Sequence, residues 1–304
     1  MKPLVFSHPY LGIYTKCFLW QTEHYNVWID TGLRPNWADM EPRLKDGREN
    51  VLLLTHGHWD HIGGVELIRR HGGTVYGHPA DRKHLTDLDW HWQLLFGQFE
   101  QDFDLPPARK TTFWESVERS DLDVEVKDGD EFSFDELCFR AIWTPGHSGG
   151  SVCYLETTTG TLFTGDAVMG DGFFTGTPQI EDYPAYIASM ERLRGLTVES
   201  VLTDHTDPVP GAELAALAQR GIDCAKRMLG AVEIYAAAAE KPTVGGAAKA
   251  IARMEGKNVG GGTCVSAVAA LMELNHVPQA QACAKAYLFG AKAPRPYQPE
   301  RSEI

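Results

Sequence analysis

Val51-Leu52-Leu53-Leu54-Thr55-His56-Gly57-His58-Trp59-Asp60-His61 runs from four consecutive aliphatic residues straight into three histidines and an aspartate. The aliphatic run fits a strand buried on both faces. A strand end followed by a glycine-containing loop can turn several side chains toward one point. Neutral imidazole and carboxylate are the ligands that zinc prefers, and catalytic zinc sites leave a position open for water. Strand stability calls for no such cluster. A histidine tract or tag is expected at an exposed terminus, not at the end of an apolar strand.

Working outward, three more candidates sit where strand signals meet loops. His147 follows Trp143 in Thr144-Pro145-Gly146-His147-Ser148, Asp166 follows Phe163 in Thr164-Gly165-Asp166, and His205 follows Leu202 in Thr203-Asp204-His205. Each alone reads more readily as a cap or turn residue than as a ligand. Beside the 56–61 cluster they read as further ligands. Ser148 and Ser151 are read as loop residues, not as nucleophiles.

Short apolar runs at Cys17–Trp20 and Val27–Ile29, with a polar stretch between them, predict a hairpin, and Asp30-Thr31-Gly32 follows as a turn. Further strand signals fall at Thr74–Tyr76, Val124–Val126, Phe132–Phe134, Leu137–Trp143, Val152–Leu155, Thr161–Phe163 and Val198–Leu202. Val65–Arg70 and Tyr183–Leu193 read as helices. Strand–helix alternation argues for layered α/β packing. Residues 81–120 differ. Trp90, Trp92, Leu94, Leu95, Phe96, Phe99 and Phe103 crowd together before Pro106-Pro107, as in one or two amphipathic helices and a loop. Beyond Pro210 helical signals take over, at 212–240, Ala247–Met254 and Cys264–Leu274. A boundary is placed near 210, giving a catalytic domain over 1–210 and a helical C-terminal extension over 211–304.

With 28 basic against 41 acidic residues the formal charge is −13, which disfavours nucleic acid as a partner. No stretch approaches the ~20 apolar residues that span a bilayer, and the N-terminus carries no apolar signal core, so no membrane association is expected. Six scattered cysteines without a CxxC pair read as reduced thiols in the cytoplasm.

The order HxHxDH, then His, Asp and His, resembles the metallo-β-lactamase superfamily of hydrolases. The likeness runs from the Cys17 strand and Asp30-Thr31-Gly32 to His205, about two thirds of the chain. It implies an α/β fold, a four-layer αββα sandwich with metals at one edge. It also implies two divalent metal ions, zinc first and manganese or iron as alternatives. His56, His58 and His147 would hold one metal, and Asp60, His61 and His205 the other, with Asp166 between them. A hydroxide bridging the metals would attack an acyl carbon, with Asp60 as the catalytic carboxylate that holds it and moves a proton. Diiron oxygen-reducing relatives carry glutamate at the second motif histidine; His58 therefore favours hydrolysis. At the last ligand many relatives read Pro-Gly-His-Gly. This chain reads Thr203-Asp204-His205-Thr206-Asp207, so Asp204 or Asp207 is a candidate to orient the His205 ring.

Residues 165–176 and the helix from Tyr186 resemble glyoxalase II-like thioesterases, although the tail lacks an obvious basic cluster for glutathione carboxylates. The expected function is hydrolysis of a thioester, ester or lactone of a small acyl substrate. The aromatic segment 90–103 either lines an acyl pocket or is an ordinary packed helix. Two rivals stay open. One is a nuclease, since Cys264–Val277 loosely resembles the winged-helix-like tails of superfamily nucleases and residues from 241 onward carry eight basic against four acidic residues. The other is a non-enzymatic metal-binding or signalling protein. The helical tail could pack on the sandwich, roof the site or form a homodimer contact.

Overall fold

Alternation within the strands builds two cores at once. In the computed structural model, which describes residues 2–10, 13–99, 107–170, 172 and 176–274, β2 (Ile13–Gln21), β3 (Tyr25–Ile29) and β4 (Glu49–Leu53) are apolar on both faces. Phe18, Trp20, Val27, Ile29, Val51 and Leu53 point one way, into a core shared with Phe139, Val152, Tyr154 and Phe163 of the opposite sheet. Cys17, Leu19, Trp28 and Leu52 point the other way, against helices. Each fully buried aliphatic or aromatic side chain of this kind stabilises by about 1.5–3 kcal/mol.

The first sheet has the order β1 (Leu4–Tyr10), β2, β3, β4, β5 (Thr74–Gly77), β6 (Val124–Glu125). The second runs β7 (Glu131–Phe134), β8 (Leu137–Trp143), β9 (Val152–Glu156), β10 (Thr161–Phe163), β11 (Ser200–Leu202), β12 (Val209–Pro210). The predicted hairpin is present, with Phe18 opposite Ile29 and Trp20 opposite Val27. Helices α1 (Trp37–Leu44) and α3 (Val65–Arg70), separated by the short α2 (Trp59–Ile62), cover the first sheet through Met40, Leu44 and Ile68. After α4 (Arg82–Thr86), α5 (Leu88–Leu95) and α6 (Pro107–Ser116), α7 (Tyr183–Arg194) covers the second sheet through Met190 and Leu193. The αββα sandwich expected from the sequence is therefore present.

The C-terminal helices α8 (Leu214–Ala238), α9 (Val244–Glu255) and α10 (Gly261–Glu273) belong to the same hydrophobic cluster as the sandwich helices. Ile222, Ala225 and Met228 of α8 are fully buried, as are Ala248, Ile251, Cys264 and Ala267 beyond it. Tyr183 and Tyr186 of α7 are buried in the same cluster. Phe103, Pro106, Asp171, Phe173–Thr175, Val277, Cys283, Lys285, Lys292, Arg295 and Arg301, which entered the sequence reading, lie outside the described residues.

A chain ending at residue 212 would strip α8 from Tyr186, Met190 and Leu193. We expect such a truncation to lose cooperative unfolding and near-ultraviolet circular dichroism, because several exposed core residues consume a margin of about 5–15 kcal/mol. A fragment that melts cooperatively at the full chain's midpoint would show that the sandwich stands without the tail.

Candidate metal centre

All seven sequence candidates converge at one edge of the sandwich, on loops that follow strand ends. β4 leads to His56 and His58, and the turn α2 carries Asp60 and His61. β8 leads to His147, β10 to Asp166 and β11 to His205. Two of these loops need glycine. Gly165 has φ of +48°, and a Cβ there would lie 2.2 Å from Thr55 Oγ1. Gly146 has φ of +129°, and a Cβ there would meet the Tyr186 backbone at 2.3 Å. Asp30 also takes a left-handed φ of +53°, without being glycine. Such strain needs a strongly determined setting, and here the carboxylate supplies it. It accepts from Thr55 N at 2.8 Å, Thr55 Oγ1 at 2.5 Å and His61 Nδ1 at 3.0 Å.

Each of the five imidazoles spends one ring nitrogen on an outer partner and turns the other inward. His56 Nδ1 lies 3.1 Å from Thr55 Oγ1, whose proton already goes to Asp30. His147 Nδ1 donates to the Gln179 carbonyl at 3.0 Å. His205 Nδ1 donates to the Tyr14 carbonyl at 2.5 Å. His61 Nδ1 faces Asp30 and Asp204. His58 is reversed, with Nε2 facing Glu181 Oε1 at 3.2 Å and Nδ1 turned inward. These outer partners orient the rings and aim the second nitrogen of each at the centre.

The inward atoms form two groups. His58 Nδ1 and His56 Nε2 lie 2.9 and 3.1 Å from His147 Nε2. His205 Nε2 lies 3.4 Å from Asp60 Oδ2 and 3.4 Å from Asp166 Oδ1. Asp166 stands between the groups, with Oδ1 3.7 Å from His61 Nε2 and Oδ2 3.8 Å from His147 Nε2. Both His56–His58–His147 and Asp60–His61–His205 bring their ligand atoms close enough to share a cation. The donor set fits one. His61 Nε2 and Asp166 Oδ1 are buried without a hydrogen bond, a costly state unless another group meets them.

The electrostatics separate the two groups. Burial pushes His56, His58 and His147 down, His147 to about 4, so these rings are neutral and free to donate lone pairs. Burial works against charge on His61 and His205 too, but Asp166 overrides it, raising His61 well above the usual range and His205 to about 9. Burial would likewise raise Asp166, yet His205 and His61 hold it well below the usual carboxylate range. In the protein alone, protonated imidazoles supply the positive charge that a metal would bring.

Sequence reading missed the residues that brace this centre. Asp81 ties two ligand loops together. Its carboxylate accepts from Gly57 N, Gly150 N and Ser148 Oγ, each at 2.7 Å. Gln179 and Glu181 sit on a strap held from the tail. Ser266 Oγ of α10 donates to the Pro178 carbonyl at 3.0 Å and accepts from Ile180 N at 2.8 Å, while Thr263 pairs with Thr177 at 3.0 Å. The expectation for Asp204 and Asp207 is corrected. Asp204 leans on His61, Asp207 lies 4.0 Å from Lys16 Nζ, and His205 is oriented by Tyr14 of β2, a strand that the hairpin brings beside the loop.

Beside the ligands lies a cleft of about 160 Å³, walled by Trp59, Leu95, Phe96 and Met169, with Arg109, Gln179 and Gly262 also lining it. Leu95 and Phe96 thus serve the cleft, while Trp92 and Phe99 of the same aromatic segment are buried in the helical core. The segment is part pocket wall and part ordinary packing.

A profile of the metallo-beta-lactamase superfamily matches residues 12–205. The chain belongs to the metallo-β-lactamase superfamily. It is 27% identical over 201 residues to a thioesterase of Emericella nidulans, covering 64% of this chain and 46% of the relative. It is 27% identical over 186 residues to an atrochrysone carboxyl ACP thioesterase of Aspergillus fumigatus, covering 60% of this chain and 47% of the relative. The chain thus spans about half the length of these curated relatives. A metallo-β-lactamase family protein of Thermus thermophilus superposes with a TM-score of 0.67 at 18% identity, covering 90% of this chain and 94% of that one. A β-lactamase domain protein of Burkholderia ambifaria gives 0.63 at 18% identity, with 90% and 86% covered. At these identities the solved structures speak for the fold alone.

Replacing Asp81 by alanine would leave two buried N–H groups and a hydroxyl without their acceptor. We expect Asp81→Ala to cost about 2–4 kcal/mol of stability by denaturant titration. It should also weaken metal binding about 10–100-fold. Wild-type values in both measurements would show that Asp81 does not brace the ligand loops.

Proposed function

We propose that this protein is a two-metal hydrolase of thioester, ester or lactone bonds. The observation that carries the proposal is the inward turn of five imidazoles, together with Asp60 and Asp166, beside an apolar-walled cleft. In this reading His56, His58 and His147 hold one cation, Asp60, His61 and His205 hold the second, and Asp166 contributes to both. Zinc suits this donor set, with manganese or iron as alternatives. When bound, two such cations lower the pKa of a coordinated water to about 7 and polarise a carbonyl.

The chain's own residues do the rest. Trp59, Leu95, Phe96 and Met169 hold the apolar part of an acyl substrate and displace water around it. Asp60 Oδ2, within reach of His205 Nε2, holds the proton taken from the attacking water and returns it to the leaving sulfur or oxygen. Asp30, Asp81, Gln179 and Glu181 keep the imidazoles in place between turnovers. Relatives named as thioesterases support the acyl reading. The apolar side chains on one wall of the cleft and a formal charge of −13 suit an acyl group better than a phosphodiester backbone.

The described cysteines, Cys17, Cys138, Cys153, Cys224 and Cys264, are free thiols, and no described helix is long and apolar enough to cross a membrane. Unpaired thiols suit the cytoplasmic reading.

The test is a panel of thioester, lactone, phosphodiester and single-stranded RNA substrates offered to zinc-loaded protein. We expect turnover of acyl substrates, loss of activity on chelation and recovery with zinc or manganese. Asp60→Ala should reduce the rate by orders of magnitude while the protein stays folded. Full activity in a preparation shown metal-free by elemental analysis contradicts the mechanism. A preference for RNA that falls steeply with salt assigns the site to nucleic acid instead.

A further inference from the structure

We propose that Arg109 is the anion anchor of the cleft, selecting acyl substrates whose bound portion carries a carboxylate or phosphate. This inference rests on the acyl-hydrolase reading above and names its substrate class.

Three observations place Arg109 in that role. It lies on α6 one turn before Phe113, and residues i and i+4 share a helix face. Phe113 is fully buried, packed between Trp59, His91, Trp92 and Phe96. Arg109 therefore projects toward the cleft, which it lines together with the metal-centre histidines His58 and His147. Its guanidinium carbon sits 5.4 Å from the centroid of the Phe96 ring, and Phe96 is itself a cleft wall. Stacking of this kind fixes the guanidinium plane and leaves its edge free for a fork of hydrogen bonds.

The third observation is electrostatic. Arg48, Arg69, Arg82, Arg140 and Arg192 each lie within 3 Å of a carboxylate. Arg34, Arg43, Arg119, Arg220 and Arg253 show no such pair, so the shielded Nε rather than a missing partner sets Arg109 apart among the described arginines. Arg109 makes no ion pair among the described residues, and its Nε is buried without a hydrogen bond. A half-buried cation with an unmet donor is unfavourable for folding. An arginine placed for packing alone would keep its head in water and its donors hydrated. Here Nε is shielded against an aromatic ring, while the side chain lines the cleft beside the metal centre.

The consequence is selectivity. A site with a buried donor rejects an analogue that lacks the matching acceptor, because the donor is then left unpaired. A neutral acyl chain would fill the apolar wall and leave Arg109 unmet. A chain ending in a carboxylate, or a thiol carrier bearing phosphate, would meet it with charge-assisted, bidentate bonds.

The experiment uses the full-length, zinc-loaded protein, Arg109→Met and Arg109→Lys. Matched thioesters separate the two sources of negative charge. Butyryl and hexanoyl N-acetylcysteamine are neutral, succinyl and adipoyl N-acetylcysteamine carry the charge in the acyl group, and butyryl-coenzyme A carries it in the leaving thiol. We expect wild type to favour one charged arm over its neutral partner by at least about tenfold in kcat/KM, and Arg109→Met to collapse that ratio mainly through KM. Arg109→Lys should retain part of it, since it keeps the charge but loses the fork. The arm that responds names the source. No charged preference in wild type, or the same ratio in wild type and Arg109→Met, overturns the proposal. A second readout needs no turnover. Calorimetry on the zinc-loaded protein compares adipate with hexanoate, each of which offers one carboxylate to the metals. Tighter binding of adipate that disappears in Arg109→Met supports the anchor even if no thioester is cleaved and the hydrolase reading fails. Equal binding of the two acids by wild type overturns it.

Discussion

Five inward-turned imidazole nitrogens and two carboxylates crowd one spot at the edge of the sandwich. His56 Nε2 and His58 Nδ1 lie 3.1 and 2.9 Å from His147 Nε2, a spacing at which unprotonated nitrogens repel. On the other side Asp166, helped by Asp204 at His61 and by Asp60 at His205, holds those two rings protonated. In the proposed reading a cation in each group would offset the repulsion and take the place of those protons. The rest of the site holds this arrangement against its own repulsion. Every ring has an outer hydrogen-bond partner, and those partners come from widely separated segments: Tyr14, Asp30, Thr55, Gln179 and Glu181.

That dispersal explains why the helical tail shares a core with the sandwich. Ser266 and Thr263 of α10 grip the 177–181 strap, and the strap meets His58 and His147. Gly262, from the same helix, reaches the cleft wall. Packing of the last described helix thus reaches the ligand geometry through two hydrogen-bonded steps. The helical segment inserted between β5 and β6 acts similarly from the other side. It supplies Asp81 as a clamp between ligand loops, Leu95 and Phe96 as an apolar wall, and Arg109 as a charge.

The candidate ligands were legible as a cluster in the sequence because their signal is local. Spacing within 56–61 and the placement of His147, Asp166 and His205 after apolar runs give the cluster away without knowledge of the fold. Strands with continuous apolar runs were equally legible, since both faces of β3 and β4 are covered. Strand β1 was not. It is an edge strand whose Leu4 and Val5 are 42% and 49% exposed and which contains Pro9, so it carries neither alternation nor a buried run. The bracing residues were illegible for a different reason. Asp81, Gln179 and Glu181 look like any loop or cap residue, and their roles arise from contacts 24 to 123 positions away in the chain. Asp204 shows the limit clearly. Its neighbour His205 suggested a local role, but the fold aims its carboxylate at His61.

The central claim is that two cations, not one, complete this centre. Metal content by elemental analysis after zinc loading and desalting tests it most directly, on wild type and on His205→Ala. The account predicts two zinc ions per chain in wild type. In His205→Ala it predicts one, retained at His56, His58 and His147. One zinc per chain in wild type, or an unchanged count in His205→Ala, would contradict it.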